Sequence, residues 1–163
     1  MTAVSTDEFK DALKNFASGV TIVTTSDADG RPVGATVSSF ASLSLEPPLI
    51  VVCLTRASRS AAAIRESGAF AVHFLGAGQT ALARRFALDL AEKFEDVSYS
   101  RGPAGVPRLE DCPVRLECRL QSEHPEGDHV MFVGLVEATW GTDQFEPLVY
   151  SRRSFFALGT AVE

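Results

Sequence analysis

From Gly34 to Thr55 the chain reads GATVSSFASLSLEPPLIVVCLT. This is the pattern of two strands joined at Glu46-Pro47-Pro48. The second, Leu49 to Leu54, is a nearly unbroken apolar run, which predicts a strand buried on both faces. The first alternates. In an extended strand every other residue shares a face, so Thr36, Ser38, Phe40, Ser42 and Ser44 lie together, opposite Val37, Ser39, Ala41, Leu43 and Leu45. A row of hydroxyls around one aromatic ring suits a flat polar ligand. It equally suits the wet face of a one-sided antiparallel sheet. The residues alone leave both readings open.

The flanking sequence is also mainly β. Val20 to Thr25 is rich in β-branched residues, and Asp27-Ala28-Asp29-Gly30 is a hairpin turn into the strand from Arg31. Ala69 to Leu75 reads as a strand. Pro113 to Gln121 alternates Val114, Leu116, Cys118 and Leu120 with Arg115, Glu117, Arg119 and Gln121, the pattern of a half-buried strand. Glu123 to Asp128 reads as a turn, His129 to Thr139 as the returning strand, and Leu148 to Leu158 as a last strand. One helix leads the chain and two are inserted among the strands. Asp7 to Phe16 spaces Phe9, Leu13 and Phe16 along one side. Ser58 to Ser67 has Ser58 as N-cap and closes on Gly68. Thr80 to Ala91 places Leu82, Phe86 and Leu90 together. Arg101 to Asp111, with Gly102, Pro103, Gly105 and Pro107, reads as a loop. Hairpins with short helices predict a closed or nearly closed antiparallel barrel, because closure removes edges from many short strands.

The 163 residues suit a single domain over 1–163, able to bury about 70% of its unfolded surface. A net charge of −6 argues against a nucleic-acid partner, which calls for basic surface. No apolar run reaches the roughly 18 residues of a membrane span, and the acidic, amphipathic start does not resemble a signal peptide, so a cytoplasmic protein is expected. Eleven Phe leave room for a cofactor cavity or a subunit interface. Cys53, Cys112 and Cys118 form no CxxC pair, and His73, His124 and His129 lack helical metal spacing, so neither a disulfide framework nor a metal site is expected. Gly76-Ala77-Gly78-Gln79-Thr80-Ala81 matches a dinucleotide fingerprint, with Glu95 about twenty residues on. The βαβ context that motif needs is absent, and a tight strand-to-helix turn explains the glycines.

These pieces, in this order, resemble the short-chain flavin reductases, the reductase components of two-component flavin-dependent monooxygenases. The resemblance rests on FASGVTIVTT (16–25), DGRPVGATVSSFASLSLEPPLIVVCL (29–54), SRSAAAIRESGAFAVHFL (58–75), LARRFA (82–87), EKF (92–94), LEC (116–118), GDHVMFVGLV (127–136) and PLVY (147–150). It implies the FMN-binding split β-barrel: mainly β with short helices, antiparallel and Greek-key-like. It implies that Thr36, Val37, Ser38, Ser39 and Ser42 line the flavin ring, which turns the hydroxyl face into a cofactor wall. The family's S-x-T phosphate motif falls on Ser58-Arg59-Ser60, with Ser in place of Thr. Hydroxyls and free N–H groups at a helix start suit an anion. Further flavin contacts are implied for Cys53, Leu54, Thr55, Phe86 and Phe94, with Arg84, Arg85 and Lys93 as sources of positive charge. The GDH motif, linked to NAD(P)H, stands as Gly127-Asp128-His129, with His129 the candidate for positioning the nicotinamide and no residue marked as an acid or base. Two positions depart from the family pattern: His73 where Asn is expected, and Arg153 where Gly is usual.

The implied activity is NAD(P)H:flavin oxidoreduction. Hydride passes from NADH or NADPH to FMN or FAD, and reduced flavin leaves for a separate monooxygenase. A homodimer that completes the site from both chains is expected. The alternative is a non-catalytic flavin-binding or electron-carrier module on the same fold, because fold does not settle function.

Overall fold

The computed structural model describes residues 2–102 and 104–159; Pro103 and the two ends of the sequence lie outside them. The chain runs α1 (Thr6–Leu13), β1 (Ser18–Gly19), β2 (Thr21–Ser26), β3 (Pro32–Val37), β4 (Phe40–Ser44), β5 (Leu49–Thr55), α2 (Arg59–Ser67) and β6 (Ala69–Phe74). A 3₁₀ turn (Ala77–Gln79) then leads into α3 (Thr80–Ala87), β7 (Tyr99–Arg101), β8 (Pro107–Leu109), β9 (Val114–Glu126), β10 (His129–Gly141), β11 (Leu148–Ser151) and β12 (Ser154–Ala157).

Seven strands form one antiparallel sheet in the order β3-β2-β6-β9-β10-β5-β4. Its two edge strands, β3 and β4, are consecutive in sequence and separated only by Ser38 and Ser39. The sheet must therefore curl until its edges meet. At the seam Ser39 extends the β4–β5 pairing: its Oγ donates to the Cys53 carbonyl (2.8 Å) and its carbonyl accepts the Cys53 N–H (3.3 Å). This is the antiparallel, mainly β split-barrel architecture that the sequence predicts.

Inside the barrel Val23, Ile50, Val52, Phe70, Val72, Val130 and Phe132 pack with Ile64 of α2. A second cluster, Val20, Ile22, Leu75, Ala83, Phe86, Leu109 and Leu148, fills the space between the sheet and α3. Strands β2 and β6 separate the two clusters and are buried on both faces. The 13-residue hairpin of β9 and β10 carries two register shifts. Near the first, a Cβ on Gly134 would lie 2.5 Å from Phe70 Cζ, so that close approach requires glycine.

Several expectations need correction. β5 is buried on one face only: Ile50, Val52 and Leu54 enter the core, whereas Leu49, Val51 and Cys53 are half-buried, because no helix covers its outer side. The predicted strand through Leu45 breaks at Ser38-Ser39, where the chain leaves β2 to pair with β5. α1 stops at Leu13, and its apolar face does not pack on the chain: Phe9 is 55% and Phe16 74% exposed. α3 ends at Ala87 rather than Ala91. Leu88 turns extended, leaving Leu90 exposed. The Gly- and Pro-rich stretch near residues 101–111 holds the β7–β8 pair. The turn before His129 is only Gly127-Asp128, because β9 continues through Glu126. The last strand is a hairpin, β11 with β12, turning on Arg152 and Arg153.

Candidate functional site

A cavity of about 580 Å³ opens at the seam, within the roughly 300–1,000 Å³ usual for small-molecule sites. One wall is the edge of β3 with the two residues that follow it. Gly34, Ala35, Thr36, Val37, Ser38 and Ser39 all border the space. The β3 edge is available because no strand pairs with it on that side. The bend lets both Ser38 and Ser39 reach the cavity, although strict strand alternation would have put them on opposite faces. Thr36 Oγ1 donates to the Ala83 carbonyl at 2.6 Å, tying the wall to α3. With their protons committed to backbone carbonyls, Thr36 and Ser39 offer a ligand lone pairs rather than donors.

The end of β5 supplies Cys53, Leu54 and Thr55, and the start of α2 supplies Ser58, Arg59 and Ser60. Ser58 is the N-cap, its Oγ accepting the Ala61 N–H at 3.1 Å. Its own O–H remains a donor. The N–H groups of Arg59 and Ser60 belong to the first helical turn and have no intrahelical acceptor. Burial pushes the Cys53 thiol up, so it is not a thiolate nucleophile.

The third wall is the segment after α3. Phe86 and Phe94 meet edge to face at 5.0 Å. A Cβ on Gly34 would sit 2.8 Å from Phe86 Cε1, so glycine lets the ring lie against β3. Lys93 reaches back, its Nζ donating to the Phe86 carbonyl (3.1 Å) and the Gly34 carbonyl (3.2 Å). The carbonyl that a longer α3 would have used internally is thereby satisfied. Desolvation lowers the Lys93 pKa, and the nearby Arg59 lowers it further, against an opposing pull from Asp89. His129, first residue of β10, completes the cavity across from Thr55 in the ladder.

Of the residues nominated from sequence, Thr36, Val37, Ser38, Ser39, Cys53, Leu54, Thr55, Ser58, Ser60, Phe86, Lys93, Phe94 and His129 border this one cavity. Ser42, Arg84, Arg85, Gly127 and Asp128 do not. Ser42 is exposed on β4. Ala83 and Phe86 take the inward side of α3, which turns the two arginines elsewhere. Arg84 lies over the Phe155 ring at 5.2 Å, and Arg85 borders a separate cavity of about 260 Å³ with Asp96 and Asp111. Arg59 and Asp89 border the main cavity and were not nominated. Arg59 sits within the Ser58-Arg59-Ser60 motif, so the signal was present; Asp89 had none. His73, the departure noted above, is fully buried away from the cavity with both ring nitrogens hydrogen-bonded.

The wall suits a flavin nucleotide. It combines hydroxyl lone pairs and two phenyl rings with helix-start donors and two cations for a phosphate. Among the described residues no group of three or more His, Cys, Asp or Glu is placed to hold a metal ion.

Comparison with known proteins agrees with the fold. Residues 13–159 match the family model described as flavin reductase like domain. The chain is 39% identical over 153 residues to the flavin-dependent monooxygenase reductase subunit HsaB of Rhodococcus jostii, covering 94% of this chain and 78% of that one. It is 38% identical over 147 residues to a probable flavin reductase of Rhizobium meliloti, covering 90% of this chain but only 47%, about half, of that protein's length. Among solved structures, the NADH:FAD oxidoreductase SgcE6 of Streptomyces globisporus, in complex with NAD and FAD fragments, superposes with a TM-score of 0.90 at 28% identity over the whole of both chains. With the model match spanning nearly all of the sequence, the chain belongs to the flavin reductase like domain family.

Proposed function

We propose that this chain is an NAD(P)H:flavin oxidoreductase that reduces FMN or FAD and releases the reduced flavin to a separate monooxygenase. The observation that carries the reading is one shared cavity. The anion-binding start of α2 and His129 at the start of β10 both border it. The activities named for HsaB and SgcE6 support the same reading.

In this reading the flavin supplies the redox chemistry: it takes a hydride from NAD(P)H and a proton from water, leaving NAD(P)⁺ and dihydroflavin. The protein binds and orients. Ser58, Ser60 and the first N–H groups of α2 hold the flavin phosphate, with Arg59 and Lys93 balancing its charge. Thr36 to Ser39 and Cys53 to Thr55 frame the ring, and Phe86 and Phe94 exclude water from one side. His129, held by the Gly127-Asp128 turn, forms the nicotinamide side and fixes the reacting carbon close to the ring. Hydride transfer depends steeply on that approach.

The active form is proposed to be a homodimer. Phe9 and Leu13 on α1, Phe16 just beyond it, and Leu43 and Leu45 near the open seam are exposed apolar residues that a second copy would cover. Light scattering at micromolar concentration tests this, and a fully active monomer contradicts it. A cytoplasmic location suits the three free thiols and the nucleotide donor. No helix among the described residues is long and apolar enough to cross a membrane.

Steady-state oxidation of NADH and of NADPH, each with FMN and with FAD, tests the activity. The reading expects saturable turnover with at least one pairing. The same kinetics identify the preferred flavin and nucleotide.

A further inference from the structure

We propose that Asp128 is a positioning residue that fixes which ring nitrogen of His129 carries the proton, and so which hydrogen-bonding group His129 presents to the nicotinamide. The inference rests on the function proposed above and deepens it.

The geometry begins with the turn. β9 and β10 are joined by only Gly127 and Asp128, and Gly127 takes φ +58°, the left-handed conformation that tight hairpins need. The turn is pinned from outside: the Asp128 carbonyl accepts the Arg56 N–H at 2.9 Å, just past the end of β5. His129 stands opposite Thr55 in the same ladder, so both ends of the local backbone are held. In this frame Asp128 Oδ1 lies 2.7 Å from His129 Nδ1.

Asp128 has no part in the cavity wall, and its side chain is 91% exposed. Its one short contact is with the imidazole. The hydrogen bond from His129 holds the Asp128 carboxyl below the usual carboxylate range, so it is an acceptor at neutral pH. A carboxylate can only accept, which puts a proton on Nδ1. In the neutral imidazole Nε2 is then a lone pair and an acceptor. The nicotinamide carboxamide carries an NH₂ donor, and an Nε2 acceptor matches it. A proton on Nε2 would instead present a donor, which suits the carboxamide oxygen and not its NH₂.

Two measurements on the full chain test this. The first needs no ligand. Imidazole ¹⁵N spectra above neutral pH should show His129 protonated on Nδ1, whereas an unconstrained histidine favours Nε2–H. Asp128→Asn, whose NH₂ can donate to Nδ1, should shift His129 toward Nε2–H. Asp128→Glu should keep the wild-type form.

The second is kinetic. Asp128→Asn should raise KM for NADH about tenfold, the worth of roughly one hydrogen bond, with flavin affinity and melting temperature unchanged. Asp128→Glu should recover most of the loss. Reduced 3-acetylpyridine adenine dinucleotide, which lacks the NH₂ donor and keeps only a carbonyl acceptor, should bind wild type no more tightly than Asp128→Asn. An Nε2–H form in the wild type, or an Asp128→Asn variant with wild-type KM for NADH, overturns the assignment. A chain that oxidised no nicotinamide nucleotide would overturn the proposed function instead, and the nitrogen spectra would still decide the role of Asp128.

Discussion

His73 Nε2 accepts the backbone N–H of Leu109 at 3.1 Å, while its Nδ1 donates to the Ile22 carbonyl at 3.2 Å. A fully buried imidazole thus joins β6, β2 and β8 in its neutral form. Protonation would set two N–H donors against each other at Leu109. Desolvation, the largest cause, and then Arg115 lower the His73 pKa from 6.5 to about 4, despite opposing contributions from the Ile22 hydrogen bond and Glu117.

Above pH 6.5 His73 is neutral in both folded and unfolded chains, and its contribution is fully present. Between 6.5 and about 4 the unfolded chain takes up a proton that the folded chain refuses, so stability falls as pH falls. The total is about 3 kcal/mol from this one residue. Urea unfolding from pH 8 to pH 4 should show this slope in the wild type and lose it in His73→Asn. A folded-state titration of His73 near 6.5, seen by NMR, would contradict it.

Ser60→Ala and the double change Ser58→Ala with Ser60→Ala should weaken FMN binding. The double change should cost about 1–3 kcal/mol, the range for one or two hydrogen bonds to a charged group. Ser58 also caps α2, so its loss should cost about 1 kcal/mol of stability. Ser60 makes no cap bond, and Ser60→Ala should therefore lower affinity with little change in melting temperature. Titration of flavin fluorescence checks both. Unchanged affinity in the double variant would place the phosphate elsewhere.

Arg153 occupies a glycine-type conformation, with φ +61° beside Arg152 at +48°. The two-residue turn between β11 and β12 needs left-handed backbone, which costs a side-chain-bearing residue about 1–2 kcal/mol. Arg153→Gly should relieve that strain against the greater freedom glycine gains on unfolding, for a net gain of up to about 1 kcal/mol in urea. A loss of stability would mean that the Arg153 side chain contributes more than its backbone costs.

Much of this architecture is legible in the residues. The alternation from Val114 announces β9, Asp27 to Gly30 announces a hairpin, and Ser58 with Gly68 brackets α2 at its N-cap and its left-handed C-cap. The bend at Ser38-Ser39 is not announced. Neither residue is a breaker, and the chain turns there because β4 must pair with β5 to close the barrel. β7 and β8 are hidden by the glycines and prolines around them. The amphipathic period of α1 is plain in the sequence, but periodicity does not say what covers the face.

The candidate site divides in the same way. Residues in a contiguous motif, Thr36 to Ser39 and Ser58 to Ser60, come to one cavity because a motif fixes local geometry. The basic residues divide: Lys93 reaches the cavity, and the neighbouring pair on α3 does not. Arg84 and Arg85 are carried away by the rotation of α3, and Asp89 arrives because the helix ends early, an event that side-chain periodicity does not encode.

Catalytic turnover of flavin is open to an anaerobic stoichiometry. NADH or NADPH is added in excess to a small amount of protein with FMN or FAD in large excess over subunits, and flavin reduction is followed by loss of its visible absorbance. Each subunit should reduce many flavins, with one nicotinamide nucleotide consumed per flavin and most of the reduced product free in solution. Reduction that stops at one flavin per subunit, or binding without any reduction, would contradict it.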